Sequence, residues 1–305
     1  MEKFNVYQMV TDRIIEKMNQ GIIPWHKPWN RVGSGEDQAI SYVTRRPYSV
    51  LNQFLLGEPG EYLTFNQIQK LGGHIKKGEK SKFVVFYSNV NGKQQVIKEN
   101  EEGQEEIKEV KFRYPLLRYY HVWHLSQVEG IETKIVPGEE IPCPDPIGTA
   151  EESIKAYLNQ ETSLKFINDR PSDQAYYSFA DDKVVVPMME QYKDAAEYYS
   201  TAFHEFIHST MTSNRCNRRQ DSWVTFFGSE DYSKEELVAE IGSAMLCSNA
   251  GIDKEKSFNN SVAYIQNWIK KLKDDPKMIV WAAGRAEKAA RYFLGEKLDA
   301  AVETA

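Results

Sequence analysis

Residues 204–208 read His-Glu-Phe-Ile-His. On an α-helix, residues four apart stand one turn apart on the same face, so His204 and His208 can present two imidazoles to one ion. A Zn²⁺ ion takes such nitrogens at about 2.0–2.1 Å. Glu205 lies roughly 100° further round the helix and is left to act as general base on the water that the ion activates. The flanking residues favour the helix this requires. Tyr199, Ala202, Phe203, Phe206 and Thr210 or Met211 give it a wide apolar surface to bury.

The chain's six histidines are His26, His74, His121, His124, His204 and His208. None follows His208, and position 211 is Met, so the longer H-E-x-x-H-x-x-G-x-x-H arrangement is excluded. The third ligand is then a carboxylate, a cysteine (Cys216 or Cys247) or a histidine from the first half of the chain. The best source is the helical pattern at 234–249, where Glu236 and Glu240 are four apart on one face beside Leu237, Ile241, Ala244 and Met245. Carboxylates on a partly buried face are costly unless paired or metal-bound. Glu236 is assigned as the third ligand, because the small Ala239 lets two helices approach closely around the metal. Glu240 becomes the acceptor of a ligand imidazole N–H, fixing its tautomer. The swapped assignment stays open.

Two histidines and a glutamate with an open fourth position form a catalytic rather than a structural pattern. The expected reaction is peptide hydrolysis, in which Zn²⁺ polarises the carbonyl and Glu205 passes a proton to the leaving amine. The β-branched strand at 184–186 is expected to pair with an extended substrate. Tyr176, Tyr177 and Tyr232 are candidate oxyanion donors. The competing class is a pure single-strand-binding protein whose zinc site is structural or inactive.

The elements that must position these groups fall into two parts. Residues 130–148 contain Pro137, Pro142, Pro144 and Pro146, a density that resists helix and central strand alike. This predicts an extended linker between a module at 1–129 and a second at 149–305, each able to fold alone. In the first, residues 4–20 have a helical apolar stripe stopped by Gly21, and 66–71 form a short helix before Gly72-Gly73. Strands at 83–87 and 94–97 flank an Asn91-Gly92 hairpin turn. The Glu-rich run 98–110 then reads as a solvated tip, followed by a strand at 119–125. The second module carries a helix at 150–158, a strand at 183–186, and helices at 194–212, 234–249, 260–273 and 277–294. The expected fold class is α+β: an α+β first module and a mostly helical second module with a small sheet.

Composition bounds the rest. The 305 residues are 41% hydrophobic, enough to bury a core, and no apolar run reaches the length a membrane helix needs. No apolar leader opens the chain, and the three cysteines are odd in number and far apart, which fits a reducing, cytoplasmic setting. The net charge of −6 conceals a division. Residues 1–128 hold 18 Lys/Arg against 14 Asp/Glu, whereas 129–305 hold 20 against 30. Six of the acids in the first part sit in the Glu-rich run. The remaining basic surface interleaves cations with rings: Trp25, Lys27 and Trp29, then Arg45, Arg46 and Tyr48, then Lys76, Lys77 and Lys80. Cations neutralise phosphates and flat rings stack exposed bases, the combination that single-stranded nucleic acid requires.

The whole chain resembles the ArdC family of antirestriction proteins carried by plasmids and other mobile elements. In the first module the resemblance rests on residues 7–29 with their Ile-Pro-Trp-x-x-Pro-Trp ending, on Tyr62-Leu-Thr-Phe-Asn-Gln, on residues 72–79 and on 121–130. In the second it rests on residues 198–208, 227–242 and 263–268. It implies an N-terminal single-stranded DNA-binding domain, also found fused to some plasmid primases, and a zincin-like metallopeptidase domain. It further implies protection of DNA after entry into a new cell; the expectation that joins the two parts is a DNA-binding module that places a zinc peptidase site near DNA-bound proteins. One departure is Val122-Trp123-His124, where the family commonly has Val-Phe-Asn.

Overall fold

The computed structural model describes residues 5–26, 38–99, 105–135, 146–218, 230–252 and 262–296. The first module opens with α1 (Val6–Asn19), started by Asn5, whose side-chain oxygen accepts the Tyr7 N–H at 3.0 Å. Gly21 ends the helix region at φ 79°, where a side chain would be strained. Then come β1 (Ala39–Ser41), α2 (Val50–Leu56), β2 (Gly60–Leu63), α3 (Phe65–Lys70), β3 (His74–Ile75), β4 (Lys82–Glu99), β5 (Glu105–His124) and β6 (Val128–Glu129). Strands β1-β2-β5-β4 make one sheet, with β1 parallel to β2 and the other pairs antiparallel, while β3 and β6 pair separately.

The expected turn at Asn91-Gly92 does not occur. Strand β4 continues through it, with Asn91 opposite Arg113 and Gly92 opposite Phe112, and the chain reverses between Glu99 and Glu105. A ladder with a partner for every residue outweighs a local two-residue turn preference. The Glu-rich run is therefore not a solvated tip over its length: residues 98–99 and 105–110 are paired strand, and 100–104 lie outside the described residues.

The second module comprises α4 (Pro146–Gln160), β7 (Lys165–Ile167), β8 (Tyr176–Ser178), β9 (Lys183–Val185), α5 (Ala195–Ser209), α6 (Glu230–Ala250), α7 (Val262–Asp274) and α8 (Met278–Phe293). It is mostly helical with a three-stranded sheet ordered β7-β9-β8. Strand β9 is therefore central, paired with β7 on one side and β8 on the other. The expectation that residues 184–186 offer a free edge is corrected: the edges are β7 and β8, and β8 is one of the strands packed on α5. The α+β class holds for the whole chain.

The expected linker is shorter than 130–148. Residues 132–134 are tied to the first sheet: the Thr133 hydroxyl donates to Glu61 Oε2 at 2.7 Å, the Lys134 N–H donates to the same carboxylate, and Tyr42 donates to the Glu132 carbonyl. Helix α4 begins at Pro146, a residue that suits a first turn because its missing N–H would have no partner there. Residues 136–145, which include Cys143, lie outside the described set.

The two modules share one core. Val10, Ile14, Met18, Trp25, Phe54 and Leu55 belong to the same buried cluster as Trp268, Leu272, Ile279, Ala283 and Phe293. Helix α1 packs on α7 and α2 on α8. Polar contacts cross as well: the Thr11 hydroxyl donates to the Pro276 carbonyl at 2.8 Å, and Glu287 accepts the Val50 N–H at 3.1 Å. Independent folding of the halves is therefore not what this packing supports. Cleavage within 136–145 is expected to leave two fragments that co-elute on gel filtration. A fragment of 149–305 expressed alone is expected to lack a cooperative thermal transition, since it exposes the apolar faces of α7 and α8. A sharp, native-like transition in that fragment would refute the shared core.

Candidate metal centre

Helix α5 starts at Asp194, whose carboxylate accepts the Glu197 N–H at 2.8 Å. Its apolar face buries Tyr198, Tyr199, Ala202, Phe203, Phe206 and Ile207, which fixes the rotation that turns His204 and His208 toward α6. The two helices meet closely at Gly242, where a Cβ would stand 2.9 Å from the Ile207 side chain. Gly242 is thus the small residue at the tightest approach, with the buried Ala239 one turn earlier.

Across this approach, His204 Nε2 and His208 Nε2 are 3.2 Å apart. Glu236 Oε2 is 3.6 Å from His204 Nε2, and its Oε1 is 3.4 Å from His208 Nε2. Donors about 2.0–2.1 Å from one tetrahedral ion stand about 3.3–3.4 Å from each other, so the three groups already have the spacing of a ligand set. Among the described residues, they are the group of three able to hold a metal ion. Cys216 and Cys247 are buried outside it. The side chains of His204 and Glu236 remain 22% and 25% exposed, so the group opens to solvent on one side.

The charges are arranged around His208. Burial alone would depress its pKa, but the nearby Glu235 and Glu236 carboxylates, at 3.5 and 3.4 Å, and the Glu205 charge outweigh this and push it up to about 10. Burial works against ionisation of Glu236, yet the two imidazoles hold its carboxyl well below the usual range. Both carboxylates thus favour a proton on His208, which an ion would have to displace. The favourable contribution of that proton to the metal-free fold is complete below about pH 6.5 and is lost as pH rises through about 10. Apparent metal affinity is accordingly expected to rise about tenfold per pH unit between pH 7 and 9, one proton being released per ion. Competition titrations with a chelator of known pH dependence measure this. A flat profile would mean that His208 is already neutral.

The acid beside an imidazole of this group is Glu235, not Glu240. Glu235 Oε1 stands 3.5 Å from His208 Nδ1. Glu240 instead lies by Tyr264, whose phenol is pushed up by burial and by that charge. Glu240 shares a face with Glu236 along α6, but its charge falls beside Tyr264, whereas Glu235 stands near His208 in the last turn of α5. Glu205 is buried, and its charge is felt at His208. Of the tyrosines considered as oxyanion donors, Tyr177 donates to Asp182 Oδ1 at 2.8 Å, Tyr176 is exposed on the β8 edge, and the Tyr232 side chain lies outside the described set.

The proposed DNA-contacting residues divide. Lys27 and Trp29 lie outside the described residues. Trp25 is 0% exposed, packed against Phe54 and edge-on to Trp268 at 6.1 Å. Its assignment as a stacking platform is corrected: neighbouring cations suggested a surface ring, but the chain turns inward there and the indole fills the shared core. Tyr48 is half-buried between Tyr62 and Phe86, and burial pushes its phenol up to about 12. Arg45 is paired with the buried Glu61, while Arg46 is exposed. Lys76 donates to the Ser126 carbonyl at 2.7 Å, and Lys77 and Lys80 are exposed in the same turn.

The open rings lie elsewhere. Phe86 and Tyr120 are 42% and 43% exposed, with ring centroids 6.0 Å apart, and the exposed Arg118 is opposite Phe86 in the ladder. The two-residue spacing of Arg118 and Tyr120 on one strand face was the available signal. His124, part of the departure from the family pattern, has a local role: its Nδ1 accepts the Ser126 N–H at 3.2 Å and caps the following turn.

Comparison with known proteins agrees with this two-part geometry. Residues 4–123 match the N-terminal domain of anti-restriction factor ArdC, and residues 154–285 match a zincin-like metallopeptidase. The chain belongs to the ArdC family. The Mn(II)-bound crystal structure of the antirestriction ArdC protein from plasmid R388 is 28% identical and superimposes with a TM-score of 0.67, covering 96% of this chain and 98% of that one. The metal-free form of the same protein gives 0.61. Among curated relatives, a DNA primase TraC of Escherichia coli is 29% identical over 94% of this chain, which spans only 20% of the primase. Protein y4eC of Sinorhizobium fredii is 26% identical, with 97% and 94% of the two chains covered. In this ArdC-family chain no described helix is long and apolar enough to cross a membrane.

Proposed function

We propose that this ArdC-family protein is a zinc-dependent peptidase that binds single-stranded DNA and cleaves proteins on it, protecting incoming DNA in the cytoplasm. One observation carries the reading: three donors from α5 and α6 at 3.2–3.6 Å spacing, with the Glu205 charge felt at His208. A set of two imidazoles and one carboxylate suits zinc. The relative solved with Mn(II) supports a divalent ion in general. When bound, such an ion supplies Lewis-acid polarisation of the scissile carbonyl and acidifies water. Glu205 takes the proton from the attacking water and delivers it to the departing amine nitrogen. The partial exposure of His204 and Glu236 favours this over a closed structural site, which leaves no room for substrate. Edge strand β8, which packs on α5, is the better-placed partner for an extended peptide.

The first module would hold DNA through the Phe86–Tyr120 ring pair, with Arg46, Lys77, Lys80 and Arg118 neutralising phosphates. Relatives named as an antirestriction protein and a DNA primase support a DNA-protecting role. The test is cleavage of proteins bound to single-stranded DNA, lost on chelation and restored by zinc. In parallel, Phe86→Ala and Tyr120→Ala are expected to weaken single-strand binding by about 1–3 kcal/mol each without changing its salt dependence. Neutralising Lys77 and Lys80 is expected to flatten the slope of log K against log salt by up to about one unit per lost phosphate contact. Unchanged binding in both ring variants would remove these rings from the interface.

A further inference from the structure

We infer that Arg218 is a positioning residue for the metal centre: it fixes Glu235, which in turn holds the His208 imidazole with Nε2 turned toward the ion. The inference rests on reading His204, His208 and Glu236 as metal ligands.

After α5 ends, the chain folds back on itself. The Cys216 N–H donates to the Thr210 carbonyl at 2.9 Å, the Asn217 N–H to the Thr212 carbonyl at 2.9 Å, and the Arg218 N–H to the Met211 carbonyl at 3.0 Å. Asn217 takes φ 49° at the tightest point of this return. The fold-back places the Arg218 guanidinium under the last turn of α5. Its Nη2 donates to the Ile207 carbonyl at 2.9 Å and to Glu235 Oε1 at 2.7 Å. Its Nε donates to Glu235 Oε2 at 3.2 Å, and its Nη1 to the Thr210 hydroxyl at 2.6 Å. Both side chains are buried.

On its other side, Glu235 is 3.5 Å from His208 Nδ1, a buried nitrogen with no nearer polar partner among the described residues. A neutral imidazole has two tautomers, and a carboxylate at Nδ1 selects the one that keeps its proton there. That leaves the Nε2 lone pair for an ion. Glu235 alone could not do this cheaply, because an uncompensated buried carboxylate is strongly destabilising. The guanidinium compensates it and also sets its direction. Its planar fork spans both carboxylate oxygens while reaching the end of α5, which the single point charge of lysine cannot do. The ligand helix and the acid that orients its histidine are therefore registered against one rigid group.

Arg215 supplies an internal control. It leaves the same fold-back, is equally buried, and donates to Glu161, Asp182 and the Ser209 carbonyl, with no bond to Glu235 or His208. If buried arginines here serve stability alone, the two should behave alike.

The experiment compares the full chain with its Glu235→Gln, Arg218→Lys and Arg215→Lys variants. Zn²⁺ dissociation constants come from chelator competition, the His208 Nδ1–H signal from ¹⁵N-histidine NMR of the zinc-loaded protein, and the unfolding midpoint from thermal melts. Glu235→Gln and Arg218→Lys are expected to weaken zinc by about 10–100-fold and to shift or broaden the Nδ1–H signal. Arg215→Lys is expected to lower the midpoint while leaving the dissociation constant within about twofold and the signal in place. The proposal is overturned if Glu235→Gln retains the original affinity and signal, or if Arg215→Lys weakens zinc as much as Arg218→Lys. Absence of zinc binding in the unmodified chain would instead overturn the assignment of the ligands themselves.

Discussion

Alanine at Glu236 is expected to weaken zinc binding by more than about a hundredfold, beyond what loss of an outer partner typically costs. Alanine at Glu240 is expected to leave it nearly unchanged. Both residues lie on α6 four positions apart, so local sequence treats them alike. The structure separates them: the Glu236 oxygens stand 3.4 and 3.6 Å from the two imidazole nitrogens, while Glu240 lies by Tyr264. Removing the Glu236 carboxylate takes one donor of three and leaves His208 with less compensation for its charge. Metal analysis after gel filtration, followed by chelator competition, reads the effect. A Glu236→Ala protein that keeps its zinc, or a Glu240→Ala protein that loses it, would reverse the assignment.

Glutamine at Glu205 is expected to lower peptidase turnover by about 10²–10⁴-fold with zinc content unchanged. Glutamine preserves the size of the side chain and its place beside the ligands but cannot accept a proton from water. Glu205 is buried and outside the donor set, yet its charge is felt at His208. The combination matters more than either measurement. Lost activity with lost zinc would make Glu205 a structural support of the site. Retained activity with retained zinc would end its role as the base.

Much of this site was readable before the fold was known because its period is short. The His204–His208 spacing and the apolar stripe around it are local properties of one helix, and α7 and α8 carry stripes of the same period. The errors came where a distant element decided the outcome. Trp25 sits among cations in sequence, but Phe54 and Trp268 enclose it. Asn91-Gly92 is a strong local turn signal, yet the partner strand continues past it. The four-residue offset from Glu236 points to Glu240 as the acid that orients a histidine, but Glu240 lies by Tyr264. Glu235 was missed because its relevance depends on Arg218, seventeen residues earlier and brought close only by the fold-back after α5. The 130–148 boundary failed at its edges for a similar reason: Glu61 captures residues just past the first module.

The core joining α1 and α2 to α7 and α8 also bears on how such a chain can travel between genes. A crossover placed between the modules would give one product a bare α7–α8 face and the other an unburied Trp25. Viable exchanges must therefore cut outside the pair and carry it as a single cassette. The Escherichia coli primases fit that rule: the matched region takes in 94% of this chain, both modules together, inside proteins of which it forms only 20% and 27%.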